Sequence, residues 1–110
     1  LKADFLLVVT TCGDAEQGRD LAAALVRERL AACVNAVPRV SSTYRWDGKI
    51  EQADECLLLI KTTRERFEAL EKAIKARSQY SLPEIIAVQV DRGSAEYLSW
   101  IEASVQPGGT

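Results

Sequence analysis

Tyr44-Arg45-Trp46-Asp47-Gly48-Lys49-Ile50-Glu51 lies between two β-rich runs, Cys33 to Trp46 and Lys49 to Thr62, and its reading decides the fold. Asp-Gly between such runs is the strongest short hairpin signal in a sequence, because both central residues of a type I′ turn need φ > 0. A two-residue turn at Asp47 and Gly48 sets the register: Trp46 faces Lys49, Tyr44 faces Glu51, Val40 faces Glu55 and Cys33 reaches Thr62. A strand from Cys33 to Trp46 spans on the order of 45 Å at about 3.3 Å per residue, against a radius of gyration of roughly 13 Å for a domain of this size. The hairpin must therefore project beyond the body or bend at Pro38, which cannot donate to a ladder and marks an edge position or a bulge. A projecting strand pair leaves backbone groups and the Tyr44 and Trp46 rings exposed unless another chain covers them. An oligomer is expected.

Upstream of the hairpin, Phe5 to Thr11 is an apolar and β-branched run without polar alternation, the pattern of a strand buried on both faces. Asp14, with Gln17 three residues on, forms a capping-box pattern for a helix whose Leu21, Ala22, Leu25, Val26 and Leu30 share one face, ending near Ala31. Downstream, Thr62 and Glu65 repeat the capping pattern ahead of a helix striped by Phe67, Leu70 and Ile74 that stops near Ser78. Tyr80-Ser81-Leu82-Pro83 is an extended link, since the residue before Pro avoids the α region. Glu84 to Val90 reads as a fourth strand. Ser94 caps a last helix running to about Val105, and residues 106–110 read as a frayed tail of a single domain, 1–110. The order βαββαβ with a long β2-β3 hairpin and a C-terminal helix is an α+β, ferredoxin-like arrangement.

Composition narrows the function. A net charge of −2 offers no basic face for a phosphate backbone, so nucleic acid is not the expected partner. No apolar run approaches the eighteen or so residues that span a bilayer, and the first residues lack a signal-peptide pattern. Three cysteines without CxxC spacing suit a reducing compartment, which points to the cytoplasm. The chain has no His, which removes the commonest general base and the commonest transition-metal ligand together. With no nucleophile-base pair visible, no reaction can be named and an enzyme is not expected.

Two groups of residues carry candidate chemistry. Cys12 ends the first strand just before a helix N-terminus, where a thiol becomes a soft-metal ligand or a redox-sensitive group; the alternative is a small apolar filler. Tyr44, Trp46, Lys61, Tyr80 and Glu84 combine amphipathic aromatics with charges near strand ends, suiting either a small-ligand cleft or subunit packing. A pocket at a subunit boundary satisfies both.

The chain resembles the CutA family of divalent-cation tolerance proteins. The resemblance rests on Leu30-Ala31-Ala32-Cys33-Val34-Asn35 with Val37-Pro38, on Tyr44 to Glu51 as quoted above, and on Leu58-Leu59-Ile60-Lys61-Thr62, Tyr80-Ser81-Leu82-Pro83-Glu84-Ile85 and Tyr97-Leu98-Ser99-Trp100-Ile101, in order from about Phe5 to Ser104. It implies a compact homotrimer in which the hairpin, through Tyr44, Arg45, Trp46, Asp47, Gly48 and Lys49, reaches a neighbouring subunit, as in the PII signalling proteins. It further implies copper or other divalent cations as ligands, no required cofactor, cytoplasmic location and no catalysis. Where family members usually carry His-Pro before the matching Tyr, this chain has Arg77, Ser78 and Gln79, so carry-over of a metal site rests on Cys12. A PII-like sensor binding a small anionic metabolite through Lys61, and a purely structural scaffold, are the alternatives.

Overall fold

The computed structural model describes residues 4–108. Expectations for residues 1–3 and for 109–110 of the tail lie outside them. Strand β1 (Phe5–Cys12), helix α1 (Ala15–Arg27), β2 (Cys33–Trp46), β3 (Lys49–Thr63), helix α2 (Phe67–Arg77), β4 (Ile86–Gln89) and helix α3 (Ala95–Ser104) follow in that order. The four strands form one antiparallel sheet in the order β2-β3-β1-β4, the ferredoxin-like topology.

The hairpin turns as its sequence requires, with Asp47 at φ 51° and Gly48 at φ 76°. Trp46 faces Lys49, Tyr44 faces Glu51 and Val40 faces Glu55. Beyond that the register slips. Pro38 and Arg39 stand against the single residue Cys56, so Cys33 faces Lys61 and not Thr62. The bulge accepts Pro38, which has no N–H to give to β3, and it puts Arg39 at φ 59°. The arm gives the molecule extents of 46 × 27 × 22 Å and a radius of gyration of 14.6 Å.

β1 corrects the expectation of burial on both faces. Leu6, Val8, Thr10 and Cys12 are buried, and the residues between them are half-buried. The buried set meets Cys56, Leu58, Ile60 and Thr62 of β3 beneath Leu21 and Leu25 of α1 and Leu70 and Ile74 of α2. The opposite face is covered at one end only, where Ile101 and Val105 pack with Ala32 and Phe5. Ile86 and Val88 of the short edge strand β4 stay exposed.

Three boundaries differ from the sequence reading. α1 ends at Arg27, four residues early, because the Leu30 N–H bonds to the Leu25 carbonyl and the Arg29 N–H to that of Val26. That is a Schellman motif with Arg29, at φ 60°, in the position glycine usually takes. Thr62 caps no helix: its hydroxyl donates to the Leu30 carbonyl at 2.8 Å, tying β3 to this motif. A 3-10 turn, Arg64–Arg66, leads into α2 instead. Finally, β4 spans four residues of the seven expected, Ile86–Gln89 pairing with Leu6–Val9 of β1 and the Val90 N–H donating once more, to the Phe5 carbonyl at 2.9 Å.

Candidate functional site

The C-terminal end of β1 is where the chain concentrates polar groups around a hollow. Cys12 closes the strand, and α1 starts at once: the Asp14 carboxylate accepts from the Gln17 N–H at 2.8 Å, while the Gln17 side chain accepts from the Gly13 N–H at 3.2 Å. The second bond goes one residue earlier than in a regular capping box, and it pins the Cys12-Gly13 corner. A cavity of about 310 Å³ opens beside this corner, lined by Cys12, Gln17, Asp20, Ile74, Arg77 and Tyr80 among others. Arg77 is held at its rim by an ion pair with Glu28 at 2.6 Å.

Tyr80 joins this hollow to the hairpin. Its hydroxyl donates to Glu55 Oε2 at 2.6 Å, a short charge-assisted bond. Burial, then the hydrogen bond to Glu55, push the Tyr80 phenol above its usual range. Burial opposes ionisation of Glu55, yet the Ser42, Tyr80 and Thr11 hydroxyls together hold its carboxyl below the ordinary value. Glu55 stays ionised and Tyr80 stays protonated, a fixed donor-acceptor pair rather than a proton-transfer pair. Sequence reasoning placed Tyr80 with Glu84, but Glu84 is exposed. It missed Glu55, because nothing local links positions 25 residues apart.

Lys61 belongs to the other end of the sheet. Its ammonium sits 5.7 Å from the centre of the Tyr97 ring, which stacks on Trp100 with centroids 5.4 Å apart. Six residues of β3 separate Lys61 from Glu55, about 20 Å at roughly 3.3 Å per residue. Tyr44 lies close enough to Tyr80 to raise its pKa, whereas Trp46 is at the hairpin tip. Within one protomer Tyr44 and Tyr80 of the five expected cleft residues come close, while Lys61 and Trp46 lie apart from them.

The donor set beside the cavity does not fit a strong divalent-cation site. Among the described residues no three His, Cys, Asp or Glu side chains gather at metal-ligand spacing. Burial foremost, then Cys56, Asp14 and Glu55, push the Cys12 thiol up to about 11. A divalent ion of borderline softness is normally held by four N or S donors.

A family profile described as CutA1 divalent ion tolerance protein matches residues 6–104, taking in the cavity, the arm and α3. The chain belongs to this family. The divalent-cation tolerance protein CutA of Thermus thermophilus is 46% identical over 95 residues, 86% of this chain and 92% of that protein. A crystal structure of CutA from Xylella fastidiosa superposes with a TM-score of 0.91 at 46% identity, covering 94% of this chain and 99% of that one. The Arabidopsis thaliana relative, 41% identical over 92% of this chain and 56% of its own length, is named chloroplastic. An Archaeoglobus fulgidus structure, at 34% identity and TM-score 0.89 over 96% of this chain and all of that one, is described as periplasmic. CutA relatives thus differ in compartment. No helix among the described residues is long and apolar enough to cross a membrane.

Proposed function

We propose that this CutA-family chain works as a non-enzymatic homotrimer in the cytoplasm, taking up copper or another divalent cation weakly, or a small ligand, where one subunit's arm meets the next. The observation that carries the assembly is the outer half of the hairpin. It extends past the core and exposes Tyr44 and Trp46 on one face and Ile50 on the other, on a two-stranded ladder that is marginal in water by itself. The half-open sheet face, with Ile86, Val88 and Trp100 exposed, supplies a receiving surface. Weak divalent binding follows from the sparse donors around Cys12, and three free thiols suit a reducing compartment. Neither a membrane nor a nucleic acid is a partner in this reading.

Size-exclusion chromatography with light scattering tests the assembly. Three chains per particle are expected, and Trp46→Ala should shift the population toward monomer; a monomer at micromolar concentration for the unaltered chain overturns the reading. The PII-like alternative draws on Lys61, a cation on the half-open face. A metabolite that raises Tm in the unaltered chain but not in Lys61→Ala would favour it.

A further inference from the structure

The cavity of about 310 Å³ at the end of β1 has an apolar floor and an acidic wall. Leu21 of α1 and Ile74 of α2 belong to the floor, at 8% and 1% exposure. Cys12 joins them at 8% exposure, and neither a hydrogen bond nor a cation acts on its thiol. Pushed up to about 11, that thiol is a neutral group near neutral pH. Tyr80 adds an aromatic ring, anchored through its hydroxyl to Glu55. At about 30 Å³ per molecule of liquid water, the space holds a ligand of about ten non-hydrogen atoms.

Asp20 lines the cavity about one helical turn after Gln17. It shares the hollow with Arg77 but not a bond: among the described residues Asp20 forms no ion pair, and Arg77 reaches Glu28 at 2.6 Å instead. The field has one sign at Cys12 and Tyr80 alike. Asp14 and Glu55 disfavour negative charge at Cys12, and Glu55 disfavours it at Tyr80, with no cation opposing either. The helix ends do not cancel this. The positive end of α1 is taken up by the Asp14 carboxylate, which accepts from the Gln17 N–H. At the C-terminal end of α2 the Ser78 N–H returns to the Ile74 carbonyl, and the Tyr80 N–H goes to the Ser78 hydroxyl. Among the described residues no backbone N–H from beyond the helix reaches the Lys75, Ala76 or Arg77 carbonyls. These acceptors stand at the negative end of the α2 dipole, beside the cavity.

We infer that this cavity binds a small organic cation, a primary ammonium on a short apolar body. The body lies against Leu21, Ile74 and the Tyr80 ring, and an aromatic ring also attracts a cation. The ammonium, with three donors and no acceptor, is met by the Asp20 carboxylate and the carbonyl end of α2. An anion would find Arg77 already paired and would face Asp20 and Glu55. A metal ion lacks its ligand set, since no three His, Cys, Asp or Glu side chains gather among the described residues. The site lies within one protomer, on the helix-covered side of the sheet, so it needs neither the assembly nor the metal uptake proposed above.

Amide chemical shifts of the isotope-labelled full chain, titrated with n-pentylammonium chloride at constant ionic strength, test the site. Saturable shifts are expected at Gly13, Asp20 and Ser78, with a Kd of about 5 mM or tighter. Pentanoate and 1-pentanol should bind at least about tenfold more weakly. Asp20→Asn should weaken n-pentylammonium at least about fivefold, while Glu16→Gln, exposed on α1 and outside the cavity wall, leaves it within about twofold. Shifts that do not saturate, a smaller loss in Asp20→Asn, or an equal loss in Glu16→Gln overturns the proposal. So does equal binding of pentanoate or 1-pentanol, or the same shifts from Mg²⁺. If Asp20→Asn loses its native circular dichroism, the ligand series on the unaltered chain decides. Light scattering counts the chains separately, so the assembly and this site can fail independently.

Discussion

From Cys56 to Thr62 every second residue of β3 is sealed beneath the helices, with Leu58, Ile60 and Thr62 at 0% exposure; from Lys49 to Glu55 of the same strand no residue is buried. Both halves pair with β2 as far as Trp46 and Lys49. Backbone pairing therefore continues where the hydrophobic floor stops. A two-stranded ladder is marginal in water without such a floor, so the outer half depends on the inner half for its register.

The comparison can be broken most directly from the inner half. Leu58→Ala should cost about 3 kcal/mol, read as a lower denaturant midpoint; a loss under about 1 kcal/mol would mean that the core does not anchor the arm. Gly48→Ala comes next. At φ 76° a Cβ costs on the order of 1–2 kcal/mol, and the loss should appear as faster amide exchange from Tyr44 to Glu51, with the amides from Cys56 to Thr62 unchanged. Equal acceleration in both halves would show one cooperative unit. The smallest effect belongs to Glu55→Gln at the boundary between them. Because the folded carboxyl titrates below its ordinary value, it stabilises the fold above the unfolded pKa of about 4.3, and this is lost as pH falls through the folded value. The Tm difference between Glu55→Gln and the unaltered chain should be present at pH 7 and vanish toward pH 3. A difference that persists in acid would assign the effect to packing.

How much of this was legible in the sequence varied with the range of the cause. Asp47-Gly48 fixed the turn and the nearby rungs, because turn chemistry is local. The bulge was foreseen at Pro38, but its extra residue was not counted, and the Cys33 pairing came out one rung wrong. Arg29 carried no glycine-like signal, so the end of α1 was overrun. Thr62 offered the same hydroxyl to a cap or to a distant carbonyl, and only the fold chose the Leu30 carbonyl. At the candidate site, Cys12 and Tyr80 stood out by position and type. Their partners, Cys56 and Glu55, come from β3, whose register against β1 is set by a crossover that no local motif encodes.

The bulge at Pro38 and Arg39 also acts as a change of phase. Before it, Cys33, Asn35 and Val37 lie on the half-open side of the sheet; after it, the even-numbered Val40, Ser42, Tyr44 and Trp46 do, because each set faces odd-numbered residues of β3. One residue removed at this point, with the turn and β3 left in place, restores a single odd-numbered frame. A chain shortened there would keep its turn and every rung from Trp46 and Lys49 to Val40 and Glu55, losing only the local bend and added twist that a bulge supplies.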